Sequence, residues 1–280
     1  MNYQTIINRA ANILRNNSIL NPYLDSEILL SNILHTTREK LLLNLEKQIT
    51  LHERKKFDIV IEKRKKKEPL AYILSKKEFW NTNFIINNSV LIPRPDTEIL
   101  VQEALNYLKI DRKYQILDIG TGSGCILISV IKERKKSKGI GIDVSKYAIH
   151  IAKNNAKIQQ LQNRIKFIHS DIDKFYSIKY DLILSNPPYI SRLNLKRLSE
   201  DIRNYEPILA LDGGSDGYSK ITNVVKKSSK LIKIKGKLIL EIGFGQLNKS
   251  VKILKQHGFY INKVSKDLAG KSRCIISTKI

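Results

Sequence analysis

Cysteine, acidic side chains and long apolar runs are all scarce in this sequence, and each scarcity closes off a class of protein. Two cysteines among 280 residues, Cys125 and Cys274, have neither metal-site spacing nor the number a disulfide framework needs, so both are expected to be reduced and structural. No metal site is expected. No run of 18 apolar residues occurs, which argues against a membrane-spanning helix. The first 20 residues carry Arg9 and Arg15 among isolated apolar positions, so a secretory leader is not expected and a cytoplasmic location is. Only 26 Asp and Glu stand against 50 Lys and Arg, a net charge of +24. Such an excess invites a nucleic-acid reading. Its distribution argues otherwise: residues 1 to 95 hold 16 basic and 9 acidic side chains and the other 185 hold 34 and 17, so no single tail carries it. A compositional drift toward Ile, Asn and Lys fits equally well. No stable nucleic-acid partner is predicted, while proximity to an RNA-bearing assembly such as the ribosome stays compatible with the charge.

Residues 1 to 75 read as a small helical domain. Ile6, Ile7, Ala10, Ile13 and Leu14 keep a helical stripe, residues 25–34 repeat it, and Thr50 with Glu53 forms a capping box. The helix it opens runs into the basic stretch Lys63 to Lys67, read as a solvated helix end. No acid, base or nucleophile cluster lies here, so the expected role is partner recognition. Residues 76 to 95 read as a linking β-hairpin with Asn87-Asn88 as its turn, and Pro95 to Glu98 open a helix with Asp96 as N-cap.

From residue 96 to 280 strands and helices alternate. Strands are predicted over 114–119, 139–144, 165–170, 180–185 and 237–242, with helices at 125–134, 147–160 and 218–234 between them. That pattern predicts an α/β, Rossmann-like parallel sheet. Two further strands, 260–265 and 273–278, are joined by too short a link to be anything but antiparallel.

Two motifs carry chemistry. Asp118-Ile-Gly-Thr-Gly-Ser-Gly124 follows the first strand, and its glycines let backbone approach a ligand. Gly120, Gly122 and Gly124 lack the ending of a dinucleotide fingerprint, and no Lys-Ser/Thr follows as a phosphate loop requires. Asp143 ends the second strand, where a carboxylate accepts both hydroxyls of a ribose. Asp171 lies just past the third, placed for an adenine amine. An adenosyl group bearing an amino acid fits this loop, which points to S-adenosylmethionine, held by Gly120, Thr121, Gly122, Ser123, Gly124, Asp143 and Asp171. The second motif, Asn186-Pro187-Pro188-Tyr189, follows an apolar strand. Asn186 offers a side-chain carbonyl, and Pro187, having no N–H, ends the strand and leaves carbonyls free, so two acceptors converge on one planar NH2 group. Tyr189 is read as a ring laid on that group. Asn186, Pro187 and Tyr189 are the catalytic candidates, with Pro188 completing the substrate site.

These residues resemble the protein-(glutamine-N5) methyltransferases that modify peptide chain release factors, the PrmC/HemK family. The likeness covers nearly the whole chain, through Asp25 to Leu30, Glu68 to Tyr72, Glu78-Phe79-Trp80, Leu91 to Glu98, the glycine loop, Asn186 to Ile190 and Tyr205 to Gly217. The resemblance implies a class I S-adenosylmethionine-dependent fold, with Gly120 to Gly124, Asp143 and Asn186 contacting the cofactor, Ile172 beside its adenine, Asn186 to Tyr189 holding the glutamine of a Gly-Gly-Gln motif, and class I release factors as protein substrates. Some members carry tryptophan where this chain has Ile172, which keeps an apolar wall without stacking. Asn-Pro-Pro-Tyr also occurs in adenine-N6 methyltransferases, so a ribosomal-protein glutamine or a nucleic-acid adenine is the alternative acceptor. An adenine enzyme is expected to carry an added target-recognition segment, and no stretch is left over for one.

Overall fold

The computed structural model describes Met1–Ile280. The chain forms two compact units, Met1–Lys76 together with Ser199–Tyr205, and Lys77–Leu198 together with Glu206–Ile280. No helix is long and apolar enough to cross a membrane.

The first unit is helical, with its longer helices at Tyr3–Asn16, Pro22–Ile33 and Leu51–Lys65. Ile6, Ile7, Ala10 and Leu14 turn one face onto Leu29, Leu30, Phe57 and Ile61, as their spacing requires. The capping box forms: Glu53 N–H donates to Thr50 Oγ1 at 3.2 Å and Thr50 N–H to Glu53 Oε2 at 2.9 Å. Arg64 departs from a solvated helix end. Its guanidinium donates to Asp25 Oδ2 at 2.7 Å and to the Glu68 carbonyl at 3.0 Å. Ser199–Tyr205 joins this unit through Lys67–Glu200 at 2.8 Å and Tyr205 O–H to the Lys66 carbonyl at 2.7 Å. A reading of local periodicity has no means of detecting so distant an insertion.

A hairpin of β1 (Lys76–Phe79) and β2 (Thr82–Ile85) follows. Its turn is Trp80-Asn81, both with positive φ (49° and 50°), rather than the expected Asn87-Asn88. Tryptophan is an unusual occupant of that conformation, so the turn is hard to see in sequence. Trp80 N–H is held by Glu98 Oε1 at 2.8 Å, while Asn87 Oδ1 accepts from Ser89 N–H in a separate turn.

The main sheet contains β3 (Gln115–Ile119), β4 (Lys138–Asp143), β5 (Ile165–His169), β6 (Tyr180–Ser185), β7 (Ile232–Glu241), β8 (Phe259–Lys266) and β9 (Ser272–Lys279). Their order is β5-β4-β3-β6-β7-β9-β8, with the first five parallel and β9 antiparallel to both neighbours. β7 begins at Ile232, so the preceding helix, Ser219–Leu231, stops short of the expected 234. Buried Ile232 pairs with Tyr180, and that pairing takes the residue from helix into sheet. A helix at Leu247–Gln256 was not anticipated.

Both faces of the sheet are covered, which accounts for apolar runs without alternation. Ile116, Leu182, Leu184 and Ile239 pack on one side, Leu117, Ile183, Leu238 and Leu240 on the other. The winding reverses between β3 and β6, and a ligand crevice is expected beyond the carboxyl ends there. Ile119 pairs with Ser185, so Gly120 and Asn186 leave the sheet side by side.

Candidate active site

The glycine loop is wrapped over the end of β4. Gly120 and Thr121 N–H groups both donate to the Ile142 carbonyl, at 2.9 and 3.0 Å. Gly120 (φ 74°) and Gly122 (φ 54°) adopt left-handed backbone, and a Cβ built on either meets nothing within 4 Å. The loop therefore presents bare backbone to open space. Gly124 does a different job, since a Cβ there meets Ile128, Phe167 and Ala152 at 3.0 to 3.2 Å. Its lack of side chain lets the next helix approach the sheet.

Three aspartates surround the loop. Asp118 is fully buried, accepts Thr121 O–H at 2.6 Å on Oδ2 and leaves Oδ1 without a partner. Burial pushes its carboxyl up to about 7, against the Thr121 bond. Asp143 accepts Gly122 N–H on Oδ2 and Ser145 N–H on Oδ1, each at 2.9 Å. Burial raises its carboxyl too, and the backbone donors oppose that rise. The two bonds lock the carboxylate plane and leave further lone pairs on both oxygens. Asp171 is exposed and caps the turn Ile172–Lys174, with Oδ1 accepting Asp173 N–H at 2.8 Å. Ser123 is held from behind by Asn155, whose Nδ2 donates to the Ser123 carbonyl at 2.9 Å and whose Oδ1 accepts Ile85 N–H at 2.8 Å.

At the end of β6, Asn186 Nδ2 donates to Thr97 Oγ1 at 3.2 Å. The amide orientation follows from that bond and leaves Oδ1 as an open acceptor. The Pro187 carbonyl accepts no hydrogen bond within the protein. Arg94, displayed between two prolines, pairs with Glu206 Oε1 at 2.5 Å, and Glu206 Oε2 accepts Ile92 N–H at 3.2 Å. The Pro-Arg-Pro and Glu-Pro segments are thereby tied together. Asp96, expected as an N-cap, instead pairs with Arg273 at 3.1 Å.

Tyr189 is placed differently from expectation. It does not line the cleft, and its hydroxyl is pushed up to about 12 by burial, with the Glu241 charge adding to the rise. Its backbone is caged: Gln246 Nε2 donates to its carbonyl at 3.1 Å, and Gly213 N–H donates to the Ile190 carbonyl at 2.8 Å beside it. A Cβ on Gly213 would stand 2.8 Å from Tyr189 backbone, one on Gly217 2.7 Å from its carbonyl oxygen, and one on Gly243 2.8 Å from its ring. The Asp-Gly-Gly block thus seats the Asn-Pro-Pro-Tyr turn, a role unread in the sequence, where the glycines stand far from what they touch. Gly213→Ala is expected to cost about 1 to 3 kcal/mol through overpacking against rigid backbone. The denaturant midpoint reads it, and an unchanged midpoint would mean that the turn yields freely.

These groups enclose a cleft of about 270 Å³. It is lined by Gly120, Thr121, Gly122, Ser123, Asp143, Asp171, Ile172, Asn186, Pro187 and Pro188 of the residues singled out in sequence, together with Thr97 and Arg94. Gly124 and Tyr189 stand outside the lining. No group of three or more His, Cys, Asp or Glu side chains is arranged to hold a metal.

Residues 5–74 match the family described as PrmC N-terminal domain, and residues 95–203 the methyltransferase small domain. A methyltransferase from Pyrococcus furiosus superposes with a TM-score of 0.53 at 15% identity, covering 70% of this chain and 88% of that one, a likeness of fold alone. Seven strands in this order, with an open glycine loop after the first, carry the class I methyltransferases that draw on S-adenosylmethionine, and this chain is of that class. It is 37% identical over 279 residues to the release factor glutamine methyltransferase of Fusobacterium nucleatum, covering 98% of this chain and 78% of that protein. The chain belongs to the release factor glutamine methyltransferase family. A bifunctional methyltransferase of Rickettsia typhi is also 37% identical, over 96% of this chain, and the chain spans 56% of that relative's length.

Proposed function

We propose that this chain transfers a methyl group from S-adenosylmethionine to the side-chain amide nitrogen of a glutamine, the one in the Gly-Gly-Gln motif of class I peptide chain release factors. One observation carries the reading: Asn186 gives its NH2 to Thr97, so its carbonyl and the unpartnered Pro187 carbonyl are two acceptors beside the glycine loop. A primary amide has two N–H donors to match them.

The cleft fits the cofactor on its own geometry. Open space above Gly120 and Gly122 accommodates a group lying on the backbone, and Asp143 has locked oxygens for a pair of hydroxyls. Asp171 Oδ2 is the acceptor for an adenine amine, Oδ1 being engaged in the turn, and Ile172 adds an apolar wall. When bound, S-adenosylmethionine supplies a methyl group already made electrophilic by a sulfonium.

The task of the protein is then alignment and charge. An amide nitrogen is a poor nucleophile because its lone pair is delocalised. Asn186 Oδ1 and the Pro187 carbonyl, by accepting from both N–H groups, fix the nitrogen and favour the positive charge that develops on it. Transfer of that methyl to the nitrogen would break its bond to sulfur, with the electron pair staying on sulfur as a neutral thioether; the residues of this chain hold the nitrogen so that it can release one proton to solvent afterwards, and no strong general base is required in advance. Pro187 and Pro188 keep the turn stiff, and Tyr189 acts from behind it. The test is mass spectrometry of a release factor incubated with this protein and cofactor: a gain of one methyl on the Gly-Gly-Gln glutamine supports the reading, and an unmodified glutamine ends it.

A release factor as substrate supports a cytoplasmic location within reach of the ribosome. The charge of +24 assists that encounter rather than the chemistry, because scattered lysines act through fields that salt screens. Raising salt is expected to lower kcat/KM and leave single-turnover transfer in the preformed complex nearly unchanged. An equal fall in both would place charge in the reacting site.

A further inference from the structure

The charge of +24 is spread along the sequence, but the fold collects part of it on one face. The helix Ser219–Leu231 and the segment after Asp173 run side by side from the cleft toward the amino ends of the strands, and they are tied at both ends. Near the cleft, Lys227 Nζ donates to the Asp173 carbonyl at 3.0 Å. At the far end Tyr180, which opens β6, pairs with Ile232, the first residue after the helix. The cleft lies beyond the opposite end of β6, at Asn186.

Exposed cations crowd this face. Lys174 and Lys179 lie on the segment, and Lys226 and Lys230 one turn apart on the helix. β7 then leaves its ladder: Ile232 pairs with Tyr180 and Lys237 with Leu182, so residues 233–236 bulge outward, with Lys235 in left-handed backbone at φ 64°. The bulge displays Lys233 and Lys235. Lys233 alone of these six is paired with a carboxylate, Asp181 Oδ1 at 2.7 Å. Like charges gathered in this way repel, a cost that a bound polyanion removes. Apolar groups stand among them, for Tyr176 is 84% exposed and Ile178 and Ile234 are exposed as well. The Tyr176 ring is fixed: the buried Lys227 ammonium lies 4.2 Å from its centroid, a cation–π contact on one face that leaves the other open.

We infer that this face binds single-stranded RNA, with phosphates on the lysines and a base stacked on Tyr176. Free lysines around an open, fixed aromatic ring are the means by which single strands are held without regard to sequence. A duplex offers no free base to the ring, and a lipid surface calls for a broader apolar face than one ring and two isoleucines. The contact is electrostatic and salt-labile, in keeping with the absence of a stable nucleic-acid partner expected from the sequence. It leads away from the cleft, so a bound strand leaves the methyl-transfer site free. The choice of RNA over DNA rests on the proposed function, which sets the enzyme near translation; the face itself does not.

Fluorescence anisotropy of the full chain with an oligouridylate of about 12 nucleotides measures the contact. Affinity is expected to fall steeply as salt rises, since each neutralised phosphate releases counterions. Tyr176→Ala should weaken oligouridylate about 5-fold or more by removing the stacking ring, and leave inorganic polyphosphate, which has no base, bound as before. Lys226→Glu with Lys230→Glu should weaken both ligands about 10-fold or more and make the salt dependence shallower. These side chains are exposed and none lines the cleft, so the unfolding midpoint and methyl transfer to a free release factor should stay at wild-type values. Wild-type oligouridylate affinity in these variants overturns the inference. So does an equal loss of polyphosphate in Tyr176→Ala, tighter binding of oligothymidylate than of oligouridylate, or uptake by phosphatidylglycerol vesicles without oligouridylate binding. The binding measurements need no methyl transfer, so a failure to methylate glutamine ends the proposed function and leaves them to decide the RNA face.

Discussion

Asn186→Ala is expected to lower single-turnover methyl transfer by roughly 10² or more while the unfolding midpoint stays close to that of the wild type. The side chain lies on a turn outside the sheet and makes one hydrogen bond, to Thr97, so little packing is lost. What the proposed clamp would lose is the acceptor for one of the two N–H groups of the substrate amide, at the moment when positive charge makes that bond strongest. Asn186→Asp is the sharper variant. It keeps an oxygen in place, removes the NH2 that Thr97 accepts, and adds negative charge beside a cationic sulfonium. That charge favours the bound cofactor and disfavours transfer, because the reaction disperses the positive charge it would be holding. Asp is therefore expected to bind cofactor at least as well as wild type and still transfer slowly. The comparison is made on a release factor and on its Gly-Gly-Gln→Gly-Gly-Ala form. Equal methylation of the alanine form by wild-type protein, or a normal rate with Asn186→Ala, removes the amide clamp.

The sheet was legible because a strand buried on both faces has to be apolar throughout, as Leu182, Ile183 and Leu184 are. The strand that ends at Asp143 and the one that ends at Ser185 could be placed from such runs, and with them the two loops that form the cleft. Legibility failed wherever a residue acts on a distant one. Thr97 reads as part of a helix start and acts on residue 186. Gly213 and Gly217 carry no local sign of their task, which is to make room for Tyr189 by lacking side chains. Tyr189 itself reads as a stacking ring, whereas the glycines and Gln246 hold it behind the turn and out of the cleft lining. The unexpected turn at Trp80-Asn81 has the same origin, since Glu98 fixes a backbone that tryptophan would not choose alone. Local propensity finds elements, and tertiary partners then decide which side chains are free for chemistry.

In the proposed site Asp143 serves the cofactor as Asn186 serves the substrate amide, and its removal should act on binding rather than on transfer. Its two oxygens are each fixed by one backbone N–H, from Gly122 and Ser145, so the carboxylate waits in a single plane at the end of β4. Two ribose hydroxyls donating to a charged acceptor contribute on the order of 1.5 to 3 kcal/mol each. Asp143→Ala removes both acceptors and also releases Gly122 N–H from the tie that shapes the glycine loop. The dissociation constant for S-adenosylmethionine should rise by about 10²-fold or more. Asp143→Asn separates the two losses: one carbonyl oxygen remains, but the new NH2 must face either Gly122 N–H or Ser145 N–H, donor against donor. An intermediate rise of about 10-fold is expected from it. Calorimetry on the free protein measures both, with the unfolding midpoint as the check on the fold. At saturating cofactor the single-turnover rate of Asp143→Ala should return to within several-fold of wild type, because the proposed site gives its carboxylate to the ribose and not to the nitrogen being methylated. Unchanged affinity in Asp143→Ala would take the residue out of the site, and a rate that stays low at saturation would place it in the chemistry instead.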